Sequence, residues 1–290
     1  MSIRHKLLAI TIVLLIFYLI FRNLFSSLFF VRKERFNVVI YGKTTNYYSF
    51  GSDTNYLLPF SSNTGVLVPG GYGNYRIGAL GKLINLEKNP SLYQKIFSSN
   101  TLSFVDFYFY AKNQSIYYGG DGSPTDKLPL FKEIFLLNSN ANFFNRLYIF
   151  MKFLSTTNSQ FKVINQLPQK NYGQFKVIDQ EELSKQYQGL FYKNGFRTEK
   201  LSLQIIYQKS YKTAVLLSRI TEGEGIRVVD LTASGTKTED CLIMENNSQN
   251  WSFTAKALSD FFQCKLIKGK TELSDIILIL GNLEKDWLVN

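Results

Sequence analysis

Hydrophobic residues form a distinct segment at the start of the chain. Residues 7–21 are an almost unbroken apolar run, and residues 24–31 resume it after Arg22 and Asn23. A helix that spans a membrane needs about 20 apolar residues, a length reached here if Arg22 extends its charged end towards water. No pair of small residues typical of signal-peptide cleavage follows. The pattern therefore favours an uncleaved membrane anchor over a cleaved signal peptide.

Positive charges on both sides of this segment leave its orientation open. Arg4 and Lys6 precede the run, and four more basic residues follow it, namely Arg22, Arg32, Lys33 and Arg35. The larger number on the C-terminal side favours a body in the cytoplasm. Large C-terminal domains also translocate despite such charges, so an extracytoplasmic body remains an alternative.

The body alternates between short β-rich runs and amphipathic helical runs, as in an α/β protein. Between residues 51 and 81 the polar trio Ser52, Asp53 and Thr54 precedes two apolar runs. The glycine-rich turn that follows suits either a tight corner or the close approach of a ligand. The pattern predicts strands at 36–42, 56–60, 66–68, 104–110 and 201–207, and helices at 76–84, 90–97, 131–137 and 143–154.

The predicted helix at 143–154 carries its apolar residues on one face, which we expect to pack in the core. This face is formed by Phe143, Leu147, Phe150, Met151 and Leu154.

A smaller module is predicted at the C-terminal end. Two glycines and two acids at 221–225 interrupt apolar sequence and mark its expected start. A strand at 226–231, an amphipathic helix at 252–262 and strands that begin at 264 and 274 follow. We therefore expect a membrane anchor and its flank at 1–35, a domain at 36–220 and a second domain at 221–290.

Composition excludes several kinds of active site. The single histidine, His5, precedes the apolar segment, so no Ser-His-Asp or Cys-His arrangement can form in the body. Cys241 and Cys264 do not form a CxxC pair, which argues against a zinc site. Residues 1–35 hold six Lys or Arg and one acid, which leaves +6 of the net charge of +11 for the body. Such a balance is compatible with an anionic lipid, polymer or nucleic acid.

The C-terminal module resembles the C-terminal domain of the LytR-CpsA-Psr proteins of bacterial envelopes. The resemblance rests on the strand at 226–231 with its small-residue turn, the helix at 252–262 and the final run SDIILILG at 274–281. Residues 36–154 are similar to the catalytic domain of that family. The matching features are the strand at 36–42, Ser52-Asp53-Thr54, the strand ending at Pro69, Arg76-Ile77-Gly78-Ala79 and the run 105–108.

This resemblance implies an α/β fold in three parts. An N-terminal membrane helix would be followed by an α/β/α sandwich domain with a mixed sheet, and then by a small α/β module of the LytR C-terminal type.

The resemblance also implies a chemistry. Enzymes of this family transfer polymers carried on polyprenyl phosphate to the cell wall, with a divalent metal and arginines at the phosphates. Asp53 corresponds to a metal-binding carboxylate for Mg²⁺, and Arg76 and Arg146 are candidates for ligand binding. Three positions that are charged in the family are uncharged here, at 50–51, 70–71 and 138–142. We therefore predict a member with weak catalysis or none.

These residues also have ordinary structural interpretations. Asp53 fits an acid that caps a turn or a helix, and Arg76 fits a solvated surface charge. Cys241 and Cys264 would form a disulfide in an extracytoplasmic body, closing a loop of about 23 residues and adding about 3 kcal/mol. In the cytoplasm they would be reduced and one would simply belong to the core.

Three hypotheses follow from the resemblance. The first is an envelope protein without catalysis, with one membrane helix and an extracytoplasmic body, which binds an anionic envelope polymer or a polyprenyl-linked precursor. The second is an active phosphotransferase that moves a polyprenyl-pyrophosphate-linked glycopolymer to the cell wall with Mg²⁺. The third is a LytR-type regulator, but the sequence contains no helix-turn-helix or basic recognition helix, so we expect no nucleic-acid partner.

Overall fold

The computed structural model describes residues 3–31, 33–112, 116–117, 128–235, 238–246 and 250–289. Within these ranges the chain is a mixed α/β protein, and the predicted class is confirmed. The helices are α1 (Ile3–Phe25), α2 (Leu80–Glu87), α3 (Ser91–Thr101), α4 (Phe131–Phe135), α5 (Phe143–Ser155), α6 (Gln180–Tyr187), α7 (Asn194–Glu199), α8 (Tyr211–Gly223), α9 (Phe253–Phe262) and α10 (Leu283–Asp286).

The strands build three mixed sheets in the described part of the chain. They are β1 (Arg35–Tyr41), β2 (Thr45–Gly51), β3 (Asn55–Phe60), β4 (Gly65–Val68), β5 (Gly73–Arg76), β6 (Phe107–Tyr110), β7 (Asn138–Ser139), β8 (Phe161–Val163), β9 (Gln169–Tyr172), β10 (Phe175–Ile178), β11 (Ser202–Tyr207), β12 (Arg227–Ala233), β13 (Leu242–Glu245), β14 (Lys265–Lys268) and β15 (Ile276–Ile279).

The N-terminal helix α1 covers the predicted anchor segment. Its large apolar side chains between Ile10 and Phe21 are exposed, from 45% for Leu19 to 63% for Leu14. No helix in the described ranges combines the length and the apolar character needed to cross a membrane. The predicted membrane helix is therefore not supported by this criterion.

The first sheet has the order β7-β6-β1-β2-β3-β8 and is covered by helices on both faces. β1, β2 and β3 form an antiparallel meander, and β6 joins β1 in parallel. Because successive residues of a strand point to opposite faces, Val39 and Tyr41 pack in a cluster with α2 and α3. Val38 and Ile40 belong to a second cluster with α4 and α5.

Helix α5 is present as predicted, but the expected core face is wrong. The helix buries Asn145, Ile149 and Phe153, whereas Phe143, Met151 and Leu154 are 51–71% exposed. The side of α5 that meets the sheet thus carries Ile149 and Phe153, and its more apolar side lies on the surface.

The second sheet is small and has the order β5-β4-β10-β9. It combines the predicted strand at 66–68 with a hairpin at 169–178 that is distant in sequence. β4 and β5 are antiparallel, as are β9 and β10, and a parallel pairing of Gly65 with Val177 joins the two pairs.

The third sheet has the order β12-β11-β15-β13-β14. β11, which precedes the predicted boundary at residue 221, pairs in parallel with both β12 and β15. Residues 221–223 belong to α8 rather than to a linker, and Glu224 is fully buried. The C-terminal module thus shares its sheet and its core with residues before 221.

Local signals explain the helix that begins at Phe253. The hydroxyl oxygen of Ser252 accepts a hydrogen bond from the amide of Ala255 at 3.0 Å, which satisfies a free N–H of the first turn. Thr254, Ala255, Leu258 and Phe262 then form the buried face, with the spacing of an amphipathic helix.

Cys241 and Cys264 form a disulfide beside the parallel strands β13 and β14. Their Cα atoms are 4.8 Å apart, and both residues are buried. Each cysteine immediately precedes its strand, and the amide of Lys265 donates to the carbonyl oxygen of Cys241 at 3.0 Å. The bond therefore fixes the start of both strands.

Reduction of this disulfide should lower the free energy of unfolding by about 3 kcal/mol, because the unfolded chain then regains the entropy of an open loop. Urea denaturation with and without a reductant measures the change. The variant Cys241→Ala/Cys264→Ala is the control and should not respond to the reductant. Equal midpoints for the oxidised and reduced protein would contradict the prediction.

Candidate functional site

A polar cleft, here called the Arg76 cleft, lies on the second sheet. Gly65 of β4 pairs with Arg76 of β5 on one side and with Val177 of β10 on the other. A Cβ atom at Gly65 would lie 2.6 Å from both the Phe175 ring and Cγ1 of Val177. Because no side chain stands at Gly65, Arg76 reaches across β4, and its Cζ lies 5.2 Å from the centroid of the Phe175 ring.

The cleft has a volume of about 590 Å³ and a positive lining. Besides Arg76 and Phe175, it is lined by Ser61, Asn63, Thr64, Gln169, Gln174 and Lys176. These residues offer hydroxyl and amide groups, one aromatic ring and two positive charges, and none of the described lining residues carries a carboxylate. Convergent polar groups with guanidinium and ammonium charges suit an anionic, hydroxyl-rich ligand.

Backbone hydrogen bonds hold the turn that forms one side of the Arg76 cleft. The amide of Thr64 donates to the carbonyl oxygen of Ser61 at 3.1 Å, and the amide of Ile77 donates to the carbonyl oxygen of Thr64 at 2.9 Å. The amide of Gly78 donates to the carbonyl oxygen of Ser62 at 2.9 Å. The backbone of this turn is therefore tied to the residues that follow Arg76.

The glycine-rich turn after β4 is a structural corner. Gly70 and Gly71 have φ angles of 91° and 83°, which favour glycine. Their amides donate to the carbonyl oxygen of Leu288 at 3.0 and 2.9 Å. The backbone donors that a ligand would need are thus already bonded within the protein.

Asp53 lies apart from the Arg76 cleft, in the turn between β2 and β3. Its side chain is exposed, and no hydrogen bond or ion pair joins it to Arg76 or Arg146 among the described residues. No group of three or more His, Cys, Asp or Glu able to hold a metal occurs in that part of the chain. Mg²⁺ prefers several oxygen ligands, and the surroundings of Asp53 do not supply a matching set of carboxylates.

Arg146 serves the structure of the first sheet. Its Nε donates to the carbonyl oxygen of Ala141 at 3.1 Å, and its Nη1 donates to those of Ile134 and Leu137 at 2.6 and 2.8 Å. Its Cζ lies 5.5 Å from the centroid of the Phe109 ring, and burial lowers the pKa of its guanidinium. Arg146 therefore ties α4 and α5 to the sheet.

Arg35, which was not among the predicted site residues, occupies the space beside the polar trio Ser52, Asp53 and Thr54. Arg35 of β1 pairs in register with Gly51, and a Cβ at Gly51 would lie 2.6 Å from its Cζ. The guanidinium donates to the hydroxyl of Ser49 at 2.9 Å and to the carbonyl oxygens of Thr54 and Tyr192 at 3.2 and 3.3 Å. Its role is to join β1 and β2 to the segment before α7.

A second cleft separates the first sheet from α9 and has a volume of about 770 Å³. Phe104 and Phe261 stack on one another at its base, with their ring centroids 4.0 Å apart. Asp106, 6% exposed at its side chain, forms an ion pair with Lys33 and accepts a hydrogen bond from the amide of Asn37 at 2.8 Å. This cleft has an apolar base and paired charges at its edge.

Buried charges near the second cleft are strongly coupled. Burial raises the pKa of the Asp106 carboxyl, but Lys33, Lys193 and hydrogen bonds outweigh this effect and hold it below its ordinary value. Lys193 pairs with Glu224 at 2.8 Å. Burial lowers the pKa of Lys193, yet the carboxylates of Glu224 and Asp106 raise it above its usual range. Burial raises the pKa of Glu224 more than Lys193 lowers it.

The chain matches no protein-family model, no curated protein and no solved structure. Its candidate function must therefore be argued from its own geometry. Of the three predicted ligand-binding residues, Arg76 lies in the Arg76 cleft, whereas Asp53 and Arg146 lie elsewhere in the fold. Phe175 and Lys176 were not predicted as site residues, although the alternation at Phe175-Lys176-Val177, which follows Gly173, is a strand signal.

Gly65→Ala should reduce the free energy of unfolding by about 1–3 kcal/mol, because its methyl group collides with Phe175 and Val177. Urea denaturation measures this loss. Gly235→Ala is the matched control, since a Cβ there meets no atom within 4 Å. If both variants unfold at the same urea concentration, the close packing above Gly65 is not required.

Asp106→Asn should cost about 2 kcal/mol of stability at neutral pH, since a buried hydrogen-bonded charge is lost while the exposure of Lys33 limits the effect. A carboxyl whose folded pKa is lowered stabilises the protein above its unfolded pKa, and this stabilisation is lost as pH falls through the folded pKa. The difference between wild type and variant should therefore shrink below about pH 4.

Denaturant titrations across the acidic range test the effect of Asp106→Asn. The exposed Asp53→Asn is the control, with an expected change of no more than about 0.5 kcal/mol at any pH. A loss for Asp106→Asn that stays constant down to acidic pH would show that its charge is not the cause.

Proposed function

We propose that this protein is a binding protein of the cell envelope, without catalytic activity, which recognises an anionic, hydroxyl-rich polymer in the Arg76 cleft. The observation that carries this proposal is the set of side chains around Gly65. Arg76 and Lys176 supply positive charge, Phe175 supplies an aromatic face, and the surrounding hydroxyl and amide groups match the hydroxyls of a glycan.

The other predicted site residues support binding rather than transfer. Transfer from a polyprenyl pyrophosphate would need carboxylates for a divalent metal and arginines free to meet the phosphates. Asp53 is exposed and has no contact with Arg76 or Arg146 among the described residues. The guanidinium of Arg35, which lies beside the polar trio, is bonded to Ser49, Thr54 and Tyr192, and that of Arg146 is bonded to three carbonyl oxygens. The second hypothesis, an active phosphotransferase with Mg²⁺, therefore receives less support than the first.

Features of the fold support the resemblance on which this proposal draws. Helices on both faces of the first sheet support a sandwich domain of the LytR-CpsA-Psr type. The strands β12–β15 and the helix α9 support a module of the LytR C-terminal type, although its sheet also takes in β11 and its core also contains residues before 221. We propose that α1, with its exposed apolar side chains, attaches the protein to the cell membrane, with the body on the extracytoplasmic side, where its disulfide would persist.

Binding of a charged glycan tests the Arg76 cleft directly. Oligogalacturonate serves as the anionic probe and its methyl-esterified form as the uncharged match, with affinities for the full chain measured by calorimetry. Arg76→Gln and Lys176→Gln should each weaken oligogalacturonate binding about tenfold or more, because a charge-assisted hydrogen bond contributes about 1.5–3 kcal/mol. Lys162→Gln, an exposed lysine of β8, is the control and should bind as wild type does.

Two results would overturn the proposal. The first is equal affinity of the two Arg76 cleft variants and wild type. The second is turnover of a polyprenyl-pyrophosphate glycan in the presence of Mg²⁺, abolished by Asp53→Ala, which would establish catalysis instead. Binding of duplex DNA in preference to the anionic glycan would favour the regulator hypothesis.

A further inference from the structure

An apolar surface on α4 and α5 has no covering element in the described part of the chain. This surface, here called the α4–α5 face, consists of Leu130, Phe131, Leu136, Phe143, Met151 and Leu154. Each of these side chains is at least half exposed. Isolated exposed apolar residues are common, but a contiguous group marks an interaction site.

Aromatic contacts make the α4–α5 face one continuous surface. The ring of Phe150 on α5 makes edge-to-face contacts with Phe131 and Phe135 of α4, with centroids 5.6 and 5.5 Å apart. Phe135 also lies 6.4 Å from Phe143 at the start of α5. The two helices therefore present their apolar side chains together rather than as separate patches.

Helix α5 is joined to the end of the N-terminal helix through residues that lie outside the α4–α5 face. The amide of Leu28 donates to Oδ1 of Asn145 at 2.9 Å, and Nδ2 of Asn142 donates to the carbonyl oxygen of Asn23 at 3.3 Å. The Phe29 ring meets the Tyr148 ring edge-on at 5.2 Å. Since α1 ends against α5, the apolar surface of α1 and the α4–α5 face lie on neighbouring elements.

Positive charges accompany these apolar residues. Arg22 lies in the last turn of α1, and the exposed Lys132 lies on α4. Lys152 lies on the side of α5 that meets the end of α1, with its ammonium 5.9 Å from the centroid of the Tyr148 ring. The acid of α4, Glu133, accepts a hydrogen bond from the amide of Leu130 at 2.6 Å, which caps the helix. Exposed apolar side chains next to lysine and arginine are the pattern of a surface that enters the headgroup region of an anionic bilayer.

We propose that the α4–α5 face rests on the surface of an anionic lipid bilayer beside α1, so that the body is held against the membrane in one orientation. This inference rests on the proposed attachment of α1 to a membrane. The aromatic and aliphatic side chains enter the boundary between headgroups and acyl chains, and Lys132 meets the lipid phosphates. The body is then not free to rotate on its anchor.

Fluorescence quenching by lipids that carry bromine on their acyl chains tests this contact. Phe131→Trp and Leu154→Trp place reporters on the α4–α5 face, and Phe17→Trp places one on α1. Leu273→Trp is the control: Leu273 lies just before β15 of the third sheet and is 72% exposed. The full chain is added to vesicles of brominated phosphatidylglycerol and phosphatidylcholine. The signal of native Trp251 and Trp287 is measured on the unsubstituted chain and subtracted.

Quenching of the Phe131→Trp and Leu154→Trp reporters should exceed that of the Leu273→Trp reporter about twofold or more, because only the former enter the boundary region. A quenched reporter at Phe17 with unquenched reporters on the α4–α5 face would overturn this inference and leave the attachment of α1 intact. No quenching at any of these three positions would overturn the attachment as well.

A second measurement distinguishes loss of membrane contact from misfolding of a variant. Leu154→Glu and Phe131→Glu place a charge on an exposed position, so their circular dichroism should match wild type. Both should lower the partition of the full chain into the same vesicles about tenfold, since burying a charged group in the apolar boundary is unfavourable. Unchanged partition with unchanged circular dichroism would contradict a contact between this face and the lipid.

Discussion

The buried ion pair of Lys193 and Glu224 is the interaction on which the relative placement of the first and third sheets depends. Glu224 follows α8, and its carboxylate also accepts a hydrogen bond from the amide of Phe104, in the segment that leads into β6. The amide of Lys193 donates to the carbonyl oxygen of Glu224 at 2.9 Å. An unpaired charge at this depth is strongly destabilising. The end of α8, the segment before α7 and the segment before β6 are therefore held together by contacts that satisfy both charges.

Elements with a local signal were predictable from the sequence. α9 was placed within one residue, because Ser252 caps it and its apolar positions follow a helical period. β1 was placed within one residue as well, since a continuous apolar run fits a strand buried on both faces. The outward face of α5 was not predictable, because helical periodicity shows that an apolar side exists and not which surface covers it. The hairpin of β9 and β10 depends on a pairing with Gly65, more than a hundred residues earlier.

The candidate site shows the same division between local and distant information. Arg76 was identified from a resemblance, and its position at the end of a strand is local. The Arg76 cleft also needs Phe175, which Gly65 admits only because a glycine leaves room above β4. Arg35 beside Gly51 is similar, since its role depends on the register of two strands. A glycine in one strand makes room for a large side chain from the neighbouring strand, but the sequence does not reveal which residues of the two strands lie opposite each other.

The central position of β15 has a consequence for the order in which the protein is made. β15 lies between β11 and β13, so neither half of the third sheet is joined to the other until residue 279 has left the ribosome. The amides of the corner at Gly70 and Gly71 likewise have no acceptor from Leu288 until that residue has been made. Early domains usually fold while synthesis continues, but here one edge of β11 stays unpaired until β15 has been made, and the corner stays open until Leu288 has been made.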